Sequence, residues 1–238
     1  MDAGQRGHHI FQRFDEEIED LRNQVLSMGG LVELQTSDAL RAVVEGDAAL
    51  GEEVADKDPR VNAMEVKIDE ACARMLARRQ PAARDLRFVV TVIKTITDLE
   101  RIGDEAGKIG RIAVDLASFE RPRSQYVEIQ NLGGRVREML HGALDAFART
   151  DAEAAWEVAR QDARVDQEYE SILRQMITFM MEDPRTIRRV MDVVWAVRSI
   201  ERIGDHSKNI CEYVIYMVRG KDVRHTSIDR MEDIAKGS

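Results

Sequence analysis

The chain of 238 residues is long enough for one large domain or two small ones. Charged residues make up 33% of it and aromatic residues only 5%, a composition that favours helices and disfavours an all-β fold. The net charge of −9 disfavours a nucleic-acid binder, which normally needs a basic surface.

The first segment, residues 1–28, has no apolar run after its first charges, so we interpret it as an amphipathic addition to the fold rather than a signal peptide. No stretch approaches the roughly 18 apolar residues that span a membrane. Cys72 and Cys211 lie in helix-like stretches without a CxxC pair, which is typical of reduced thiols. Together these features predict a soluble cytoplasmic protein.

Residues 29–120 predict a bundle of three helices. The first helix spans roughly 29–45 and ends at Gly46, with Asp47 as the N-cap of the second. The second helix runs roughly over 48–79, before a turn marked by Pro81. The third, roughly 83–118, has apolar residues at steps of three and four, which indicates one buried face.

A polar linker, RPRSQ at 121–125, leads to a second half that repeats the first. A shift of 104 positions places Gly29 on Gly133, and the shift falls to 101 before the last helix, where the pentad ERIGD at 100–104 recurs at 201–205. Such a period indicates a duplicated domain. The corresponding predicted helices are 133–149, 152–182 and 185–218.

The sequence therefore predicts an all-α fold of two tandem, sequence-related three-helix bundles. The first bundle covers residues 29–120 and the second covers residues 126–220. The polar tail at 221–238 is expected to fray.

Each ERIGD pentad places two carboxylates one helical turn apart, Glu100 with Asp104 and Glu201 with Asp205. Glu100 continues the row of apolar residues that faces the neighbouring helices. A carboxylate near such a seam needs an arginine, a hydrogen-bond network or a metal ion. The glycine at the centre of each pentad, Gly103 or Gly204, is expected to allow close packing of a neighbouring helix.

The second helix of each bundle carries further oxygen donors. In the second half these are Asp162 and Asp166, four residues apart, and the aligned residues of the first half are Asp58 and Asn62. We call the two candidate sites site 1, formed by Asp58, Asn62, Glu100 and Asp104, and site 2, formed by Asp162, Asp166, Glu201 and Asp205.

Two interpretations of these sites stay open from the residues alone. The acids could form ion pairs with arginines such as Arg84, Arg87, Arg101 and Arg202. Alternatively, all-oxygen donors could hold a hard ion such as Mg²⁺, Ca²⁺, Mn²⁺ or iron. His206, which follows Asp205, could join site 2, but an exposed histidine is the preferred prediction because the aligned residue is Glu105.

Several motifs together resemble the PhoU family of phosphate-uptake regulators, which are encoded beside the Pst phosphate transporter. They are MGGLVE at 28–33, EGDAAL at 45–50, RQPAARDLRFV at 79–89 and the two ERIGD pentads. The resemblance covers roughly residues 8–220.

This resemblance implies a cytoplasmic protein, often a homodimer, with multinuclear iron or zinc bound through paired E(D)xxxD motifs. Its implied partners are the transporter's ATPase subunit and a membrane sensor histidine kinase, so any membrane contact is made through them. The implied role is to restrain transport and to keep phosphate-starvation genes off when phosphate is plentiful. On the matching positions, the implied metal ligands are Glu100, Asp104 and Asp58 in the first half and Glu201, Asp205, Asp162 and Asp166 in the second.

Two residues of site 1 depart from the family pattern. Asn62 offers a neutral oxygen, so site 1 is expected to bind a multivalent cation more weakly than site 2. Pro59 allows the second helix to restart with Asp58 as its cap, which would occupy the Asp58 carboxylate with backbone amides.

The expected function is a non-catalytic adaptor, since the sequence has no GxxxxGK[ST], GxSxG or HExxH motif. One alternative is a ferritin-type di-metal oxidase, which needs two Glu-x-x-His motifs, whereas this chain has only the one at Glu138–His141. Another is a structural helical protein that is indifferent to metal.

Overall fold

The computed structural model of the chain describes residues 3–78, 81–119 and 123–237, and nearly all of them are helical. The α-helices are α1 (Ala3–Glu45), α2 (Ala48–Ala55), α3 (Asp58–Arg78), α4 (Ala83–Leu116), α5 (Arg123–Arg149), α6 (Ala152–Ala159), α7 (Asp162–Glu182), α8 (Ile187–Arg219) and α9 (Ile228–Lys236). One 3₁₀ turn, Pro184–Thr186, precedes α8. The predicted all-α fold of two related tandem bundles is thereby confirmed.

The second helix of each bundle is divided in two. In the first half the restart predicted from Pro59 is found, since α2 ends at Ala55 and α3 begins at Asp58. The prediction of one helix over 152–182 is wrong, because α6 ends at Ala159 and α7 begins at Asp162 without a proline nearby. The division places the short helices α2 and α6 directly against α4 and α8.

Close backbone contact explains why the short helix α2 packs where it does. A Cβ atom built on Gly51 would lie 2.6 Å from the carbonyl oxygen of Gly110 in α4, and one built on Gly110 would lie 2.7 Å from the carbonyl oxygen of Gly51. Only glycines permit two helices to approach so closely. The direction of α2 is therefore set by its contact with α4 as well as by its own sequence.

The two ends of the chain differ from the prediction. Helix α1 continues without a break at residue 28 and buries Leu21, Val25 and Met28, so residues 15–28 are part of the first bundle. The tail does not fray, because α9 is capped by Ser227 and buries three apolar side chains. These are Met231, Ile234 and Ala235. Residues 1–2, the linker residues 121–122 and residue 238 lie outside the described part of the chain.

The predicted helix ends between the first and second helices are confirmed in both halves. The side chain of Asp47 accepts a hydrogen bond from the Leu50 amide at 3.0 Å, and Asp151 accepts one from the Ala154 amide at 3.0 Å. Before each cap stands a left-handed residue, Gly46 in the first half and Thr150 in the second. The duplicated turn thus keeps its geometry even where glycine has been replaced.

Helices α1 and α5 pack the two halves together through reciprocal contacts. A Cβ atom on Gly29 would meet the Leu144 side chain at 2.6 Å, and one on Gly133 would meet Leu40 at the same distance. Because Gly133 aligns with Gly29 and Leu144 with Leu40, the halves are related by a local two-fold axis.

Helices α4 and α8 form a second, antiparallel seam between the halves. Thr91 contacts the Tyr213 carbonyl, whereas Glu105, later in α4, pairs with Arg202, earlier in α8. Between them, Asp98 lies 2.6 Å from Nδ1 of His206 and accepts a hydrogen bond from Asn209 at 3.1 Å. The prediction that His206 is exposed is therefore wrong, since only 12% of its side chain is accessible and its ring lies in this seam.

None of the described helices combines the length and the apolar character needed to cross a membrane.

Candidate metal centre

Site 2 forms where the start of α7 packs against the middle of α8. A Cβ atom built on Gly204, at the centre of the second pentad, would lie 3.4 Å from Val165 of α7. In the first half, a Cβ atom on Gly103 would lie 3.3 Å from Val61 of α3. Close packing at both pentad glycines is as predicted, and it brings the acidic side chains of the paired helices together.

Three of the four predicted site 2 carboxylates converge. Asp162, Asp166 and Asp205 each offer an oxygen, and these oxygens all lie within 4.8 Å of one another. Oxygen ligands sit about 2.0–2.6 Å from ions such as Mg²⁺, Mn²⁺ or Ca²⁺, so such a group can surround one ion. Asp162 is buried, Asp205 is half-buried and Asp166 is exposed, so the group is open to solvent on one side.

Glu201 lies beside this group and is 7% exposed. Its Oε1 atom accepts a hydrogen bond from Arg198 at 2.7 Å, while its Oε2 atom is buried and has no hydrogen-bond partner. Burial raises the pKa of Glu201 to about 7, and the charges of Asp205, Asp166 and Asp162 act in the same direction against Arg198. The ionised form of Glu201 is therefore poorly stabilised.

The aspartates of site 2 show the same shortage of positive charge. Burial raises the pKa of Asp205, and the charges of Asp162 and Asp166 raise it further. Burial also raises the pKa of Asp166, with Asp162 acting in the same direction and Lys208 opposing it. A multivalent cation at this point would relieve the mutual repulsion of these carboxylates.

Lys208 is the one residue of α8 that forms an ion pair with Asp162 in the described part of the chain. Its Nζ atom lies 2.5 Å from Oδ2 of Asp162, whereas Oδ1 of Asp162 is buried without a hydrogen-bond partner. Burial lowers the pKa of Lys208, but its hydrogen bond to Asp162 and the nearby carboxylates outweigh burial and raise the pKa overall. The sequence patterns did not single out this lysine.

The arginines expected to neutralise the pentads do so only in part. Arg202 pairs with Glu105 at 3.1 Å rather than with a residue of either site. Glu201 pairs instead with Arg198, one turn earlier on α8, and this pair only partly offsets its burial. With Lys208 on Asp162, two monovalent cations therefore contact the four carboxylates of site 2.

Site 2 opens into a cavity of about 1220 Å³ between α6, α7, α8 and the C-terminal segment. Ile228 and Glu232 of α9 line its outer wall. Helix α9 is held there by Arg219, whose Nε donates to the Ala235 carbonyl at 2.9 Å. Since α9 was not predicted, this wall of the site was not predicted either.

Site 1 differs from site 2. The side chain of Asp58 lies outside the described part of the structure. Asn62, Glu100 and Asp104 are half-buried, and Oδ1 of Asn62 has no hydrogen-bond partner. Among the side chains that the structure describes in the first half, no three carboxylates converge as they do in site 2.

Two further acids, Glu65 and Asp69, lie on α3 one and two turns beyond Asn62. Burial raises the pKa of Glu65, a hydrogen bond from Thr97 opposes this, and Asp69 and Asp104 add to the increase. Glu65 therefore faces α4 near Asp104. A search for every ExxxD pattern would have found these residues, because EVKID at 65–69 has the same spacing as the pentads.

The Glu-x-x-His motif of α5 does not reach site 2. Nδ1 of His141 lies 2.8 Å from Oε1 of Glu33 on α1, with most of the imidazole exposed. Glu138 lines a separate cavity between α5 and α7. The Glu138 and His141 side chains that a ferritin-type oxidase would use as metal ligands therefore lie on a different surface from site 2.

Comparisons with known proteins all point to the same family. The family model described as PhoU domain matches residues 25–113 and 129–214. The phosphate-specific transport system accessory protein PhoU homolog of Pseudomonas aeruginosa is 53% identical over 227 residues, which cover 95% of this chain and 93% of that protein. The accessory protein PhoU of Escherichia coli is 48% identical over 237 residues, covering 100% of this chain and 98% of that protein.

Solved structures agree with the sequence matches. The crystal structure of PhoU from Pseudomonas aeruginosa has a TM-score of 0.85 at 53% identity and covers 87% of this chain and 100% of that one. The phosphate transport system regulatory protein PhoU from Streptococcus pneumoniae has a TM-score of 0.82 at 31% identity and covers 88% and 99%. The resemblance noted in the sequence is thereby confirmed, and the chain belongs to the PhoU family.

Proposed function

We propose that this protein is an accessory regulator of a phosphate-specific transport system, which restrains phosphate uptake and keeps phosphate-starvation genes off when phosphate is plentiful. Relatives at 53% and 48% identity are named as accessory proteins of such a system, and the similar Streptococcus pneumoniae protein is named as regulatory. These similarities extend over nearly the whole chain and so include both repeats.

The proposed mode of action is binding rather than catalysis. The protein would work in the cytoplasm, as a homodimer, between the ATPase subunit of the transporter and a membrane sensor histidine kinase. It would reach the membrane only through these two partners. The description of the relatives as accessory proteins supports a partner-dependent role.

We further propose that site 2 holds a metal ion, and the observation that carries this is the convergence of three carboxylate oxygens within 4.8 Å. Asp162, Asp166 and Asp205 would be the ligands, and Glu201 would lie beside them. The unpartnered buried oxygens of Asp162 and Glu201 support the fit, because buried acceptors otherwise carry an energetic cost. Iron or zinc is the choice by family resemblance, while the oxygen donors also suit Mg²⁺, Mn²⁺ or Ca²⁺.

Such an ion would supply positive charge that joins α7 to α8, and the chain's own residues would position it. The other predicted ligands, Glu100 and Asp104 with Asp58 and Asn62, would form the weaker site 1. The neutral amide of Asn62 supports that order of affinity, because it contributes no charge to balance a multivalent ion.

The regulatory role is tested in the organism that encodes this protein, with the native gene deleted and phosphate abundant. A reporter on a phosphate-starvation promoter is followed while the wild type or a site 2 variant is restored. The variant is Asp162→Asn/Asp166→Asn/Glu201→Gln/Asp205→Asn, which keeps side-chain shape. A matched control is Glu170→Gln, an exposed acid on α7.

We expect the wild type and the Glu170→Gln control to silence the promoter, whereas the site 2 variant leaves it active. If the site 2 variant also silences it, the regulatory role stands but site 2 is not needed for signalling. A promoter that stays silent after deletion contradicts the regulatory role. Elemental analysis of the purified wild type and site 2 variant tests the metal separately, with less metal per chain expected in the variant, which keeps only the weaker site 1.

A further inference from the structure

We propose that Lys208 is a built-in competitor for the cation at site 2. Its ammonium group holds Asp162 when no metal is bound, and it moves to Glu212 when a multivalent cation binds. This inference rests on the proposed metal site, and it adds a residue that decides how readily the site accepts its ion.

The first observation is the position of the Lys208 ammonium. It lies 2.5 Å from Oδ2 of Asp162, which is the most buried of the three converging carboxylates at 5% exposure. A cation that contacts all three carboxylates must use Asp162, and it would then stand within a few ångströms of the ammonium. Because two cations this close repel strongly in a partly buried site, Lys208 and a metal ion compete for the same carboxylate.

The second observation is a nearby acceptor for the displaced ammonium. Glu212 lies four residues after Lys208 on α8, so the two side chains share one face of the helix. Glu212 is 8% exposed and lines the same cavity as site 2. No ion pair joins it to another residue in the described part of the chain, although the Lys208 charge already acts on it and opposes the effect of burial on its pKa.

The third observation is that only the second repeat has this pair. The residues that align with Lys208 and Glu212 are Gly107 and Arg111 in α4. A Cβ atom on Gly107 would lie 3.6 Å from a guanidinium nitrogen of Arg111. The first repeat therefore has neither a lysine that can fill site 1 from this position nor a carboxylate that can receive one.

Competition by a tethered lysine has a defined consequence for the site. Without metal, Lys208 keeps the carboxylates of site 2 together and limits their repulsion. A monovalent ion gains little by replacing an ammonium group of the same charge, whereas a divalent ion brings additional charge to the cluster. Lys208 thereby favours multivalent ions over monovalent ones and raises the concentration at which site 2 fills.

The test is a titration of the full-length, metal-free protein with Mn²⁺, in which electron paramagnetic resonance measures the free ion. Lys208→Met keeps the length of the side chain and removes its charge, and Lys221→Met removes a lysine from an exposed position outside the cavity. We expect Lys208→Met to bind Mn²⁺ at site 2 about tenfold or more tightly than the wild type, equivalent to about 1.4 kcal/mol. Lys221→Met is expected to bind like the wild type.

A second measurement separates competition from a merely structural role. In EDTA, Lys208→Met is expected to melt at a lower temperature than the wild type, because the carboxylates have lost a counter-charge, even though it binds Mn²⁺ more tightly. Glu212→Gln keeps Lys208 but removes its acceptor, so its Mn²⁺ affinity is expected to fall about threefold or more below that of Glu232→Gln, which removes another carboxylate of the same cavity.

Three results would overturn these expectations in distinguishable ways. Equal or weaker Mn²⁺ binding by Lys208→Met would refute the competition and leave the proposed metal site intact. Equal binding by Glu212→Gln and Glu232→Gln would refute Glu212 as the acceptor. If circular dichroism shows folded protein and no form binds Mn²⁺, the metal site itself fails, and the competition fails with it.

Discussion

Replacing Glu201 by glutamine is expected to stabilise the metal-free protein at alkaline pH, although it removes a charged hydrogen-bond acceptor. The pKa of Glu201 is raised from 4.5 to about 7, chiefly by burial. At about 1.4 kcal/mol for each unit of pKa, the ionised carboxylate costs the folded state about 3 kcal/mol. Glutamine has the shape of the protonated acid and keeps an oxygen that can accept from Arg198.

The direction of this change in stability with pH follows from the linkage between protonation and folding. Because the folded pKa is higher than the unfolded one, the favourable contribution of protonated Glu201 is complete below about pH 4.5 and is lost as the pH rises to about 7. In EDTA at pH 8, Glu201→Gln should therefore raise the free energy of unfolding by about 1–3 kcal/mol. At pH 5 the carboxyl is largely protonated in the folded state but still partly ionised in the unfolded state, so the difference should fall below about 1 kcal/mol.

Urea unfolding at both pH values measures this difference, and Glu170→Gln on the exposed face of α7 serves as the control. Adding Mn²⁺ at pH 8 should favour the wild type, because the ion adds positive charge beside ionised Glu201 that Arg198 alone does not provide. A Glu201→Gln protein that is less stable than the wild type in EDTA at pH 8 would refute the reasoning. A stabilisation of equal size at pH 5 and pH 8 would refute it as well.

Three further substitutions and one truncation test the packing of the helices. In urea unfolding, Gly51→Ala should lower the free energy of unfolding by about 1–3 kcal/mol, because its Cβ meets a backbone carbonyl of α4. In the same assay Gly30→Ala, which has open space around it, should stabilise α1 by up to about 1 kcal/mol. Asp98→Ala should cost about 2–3 kcal/mol by thermal or urea unfolding, since it leaves its half-buried partners in the α4–α8 seam, His206 and Asn209, without their acceptor. Removal of α9 should expose Trp156, read as increased acrylamide quenching of its fluorescence in a Trp195→Phe background; unchanged quenching would contradict the packing of α9 on α6.

Local signals were enough to predict much of the fold. Gly46 ends α1 and Asp47 caps α2, and both effects depend only on residues that are close in sequence. The duplication was visible because the pentads are identical, and the buried face of α4 followed from apolar spacing. The convergence of Asp162 and Asp166 with Asp205 was also predictable, since residues four apart share a face and the pentad glycines allow close helix packing.

The parts that could not be predicted depend on contacts distant in sequence. The break before α7 has no proline, and its position depends on α6 packing against α8. Helix α9 looks polar as a sequence, but Met231 and Ile234 find a buried surface only after the second bundle has formed. His206 was expected to be exposed because its aligned residue is Glu105, and the comparison of the repeats gave no sign of Asp98, the carboxylate from the other repeat that covers it.

The α4–α8 seam makes the two repeats depend on each other despite their common origin. The positions that align with Asp98 and His206 are Ser199 and Glu105, so the second copy of the pair has different chemistry. Glu105 instead takes a cation from each repeat, Lys108 at 2.9 Å and Arg202 at 3.1 Å. Each buried acid of the seam thus has at least one partner in the other repeat, and a separated second repeat would leave His206 without its carboxylate. Because His206 follows Asp205 directly on α8, the first repeat also helps to hold the turn that presents a site 2 carboxylate.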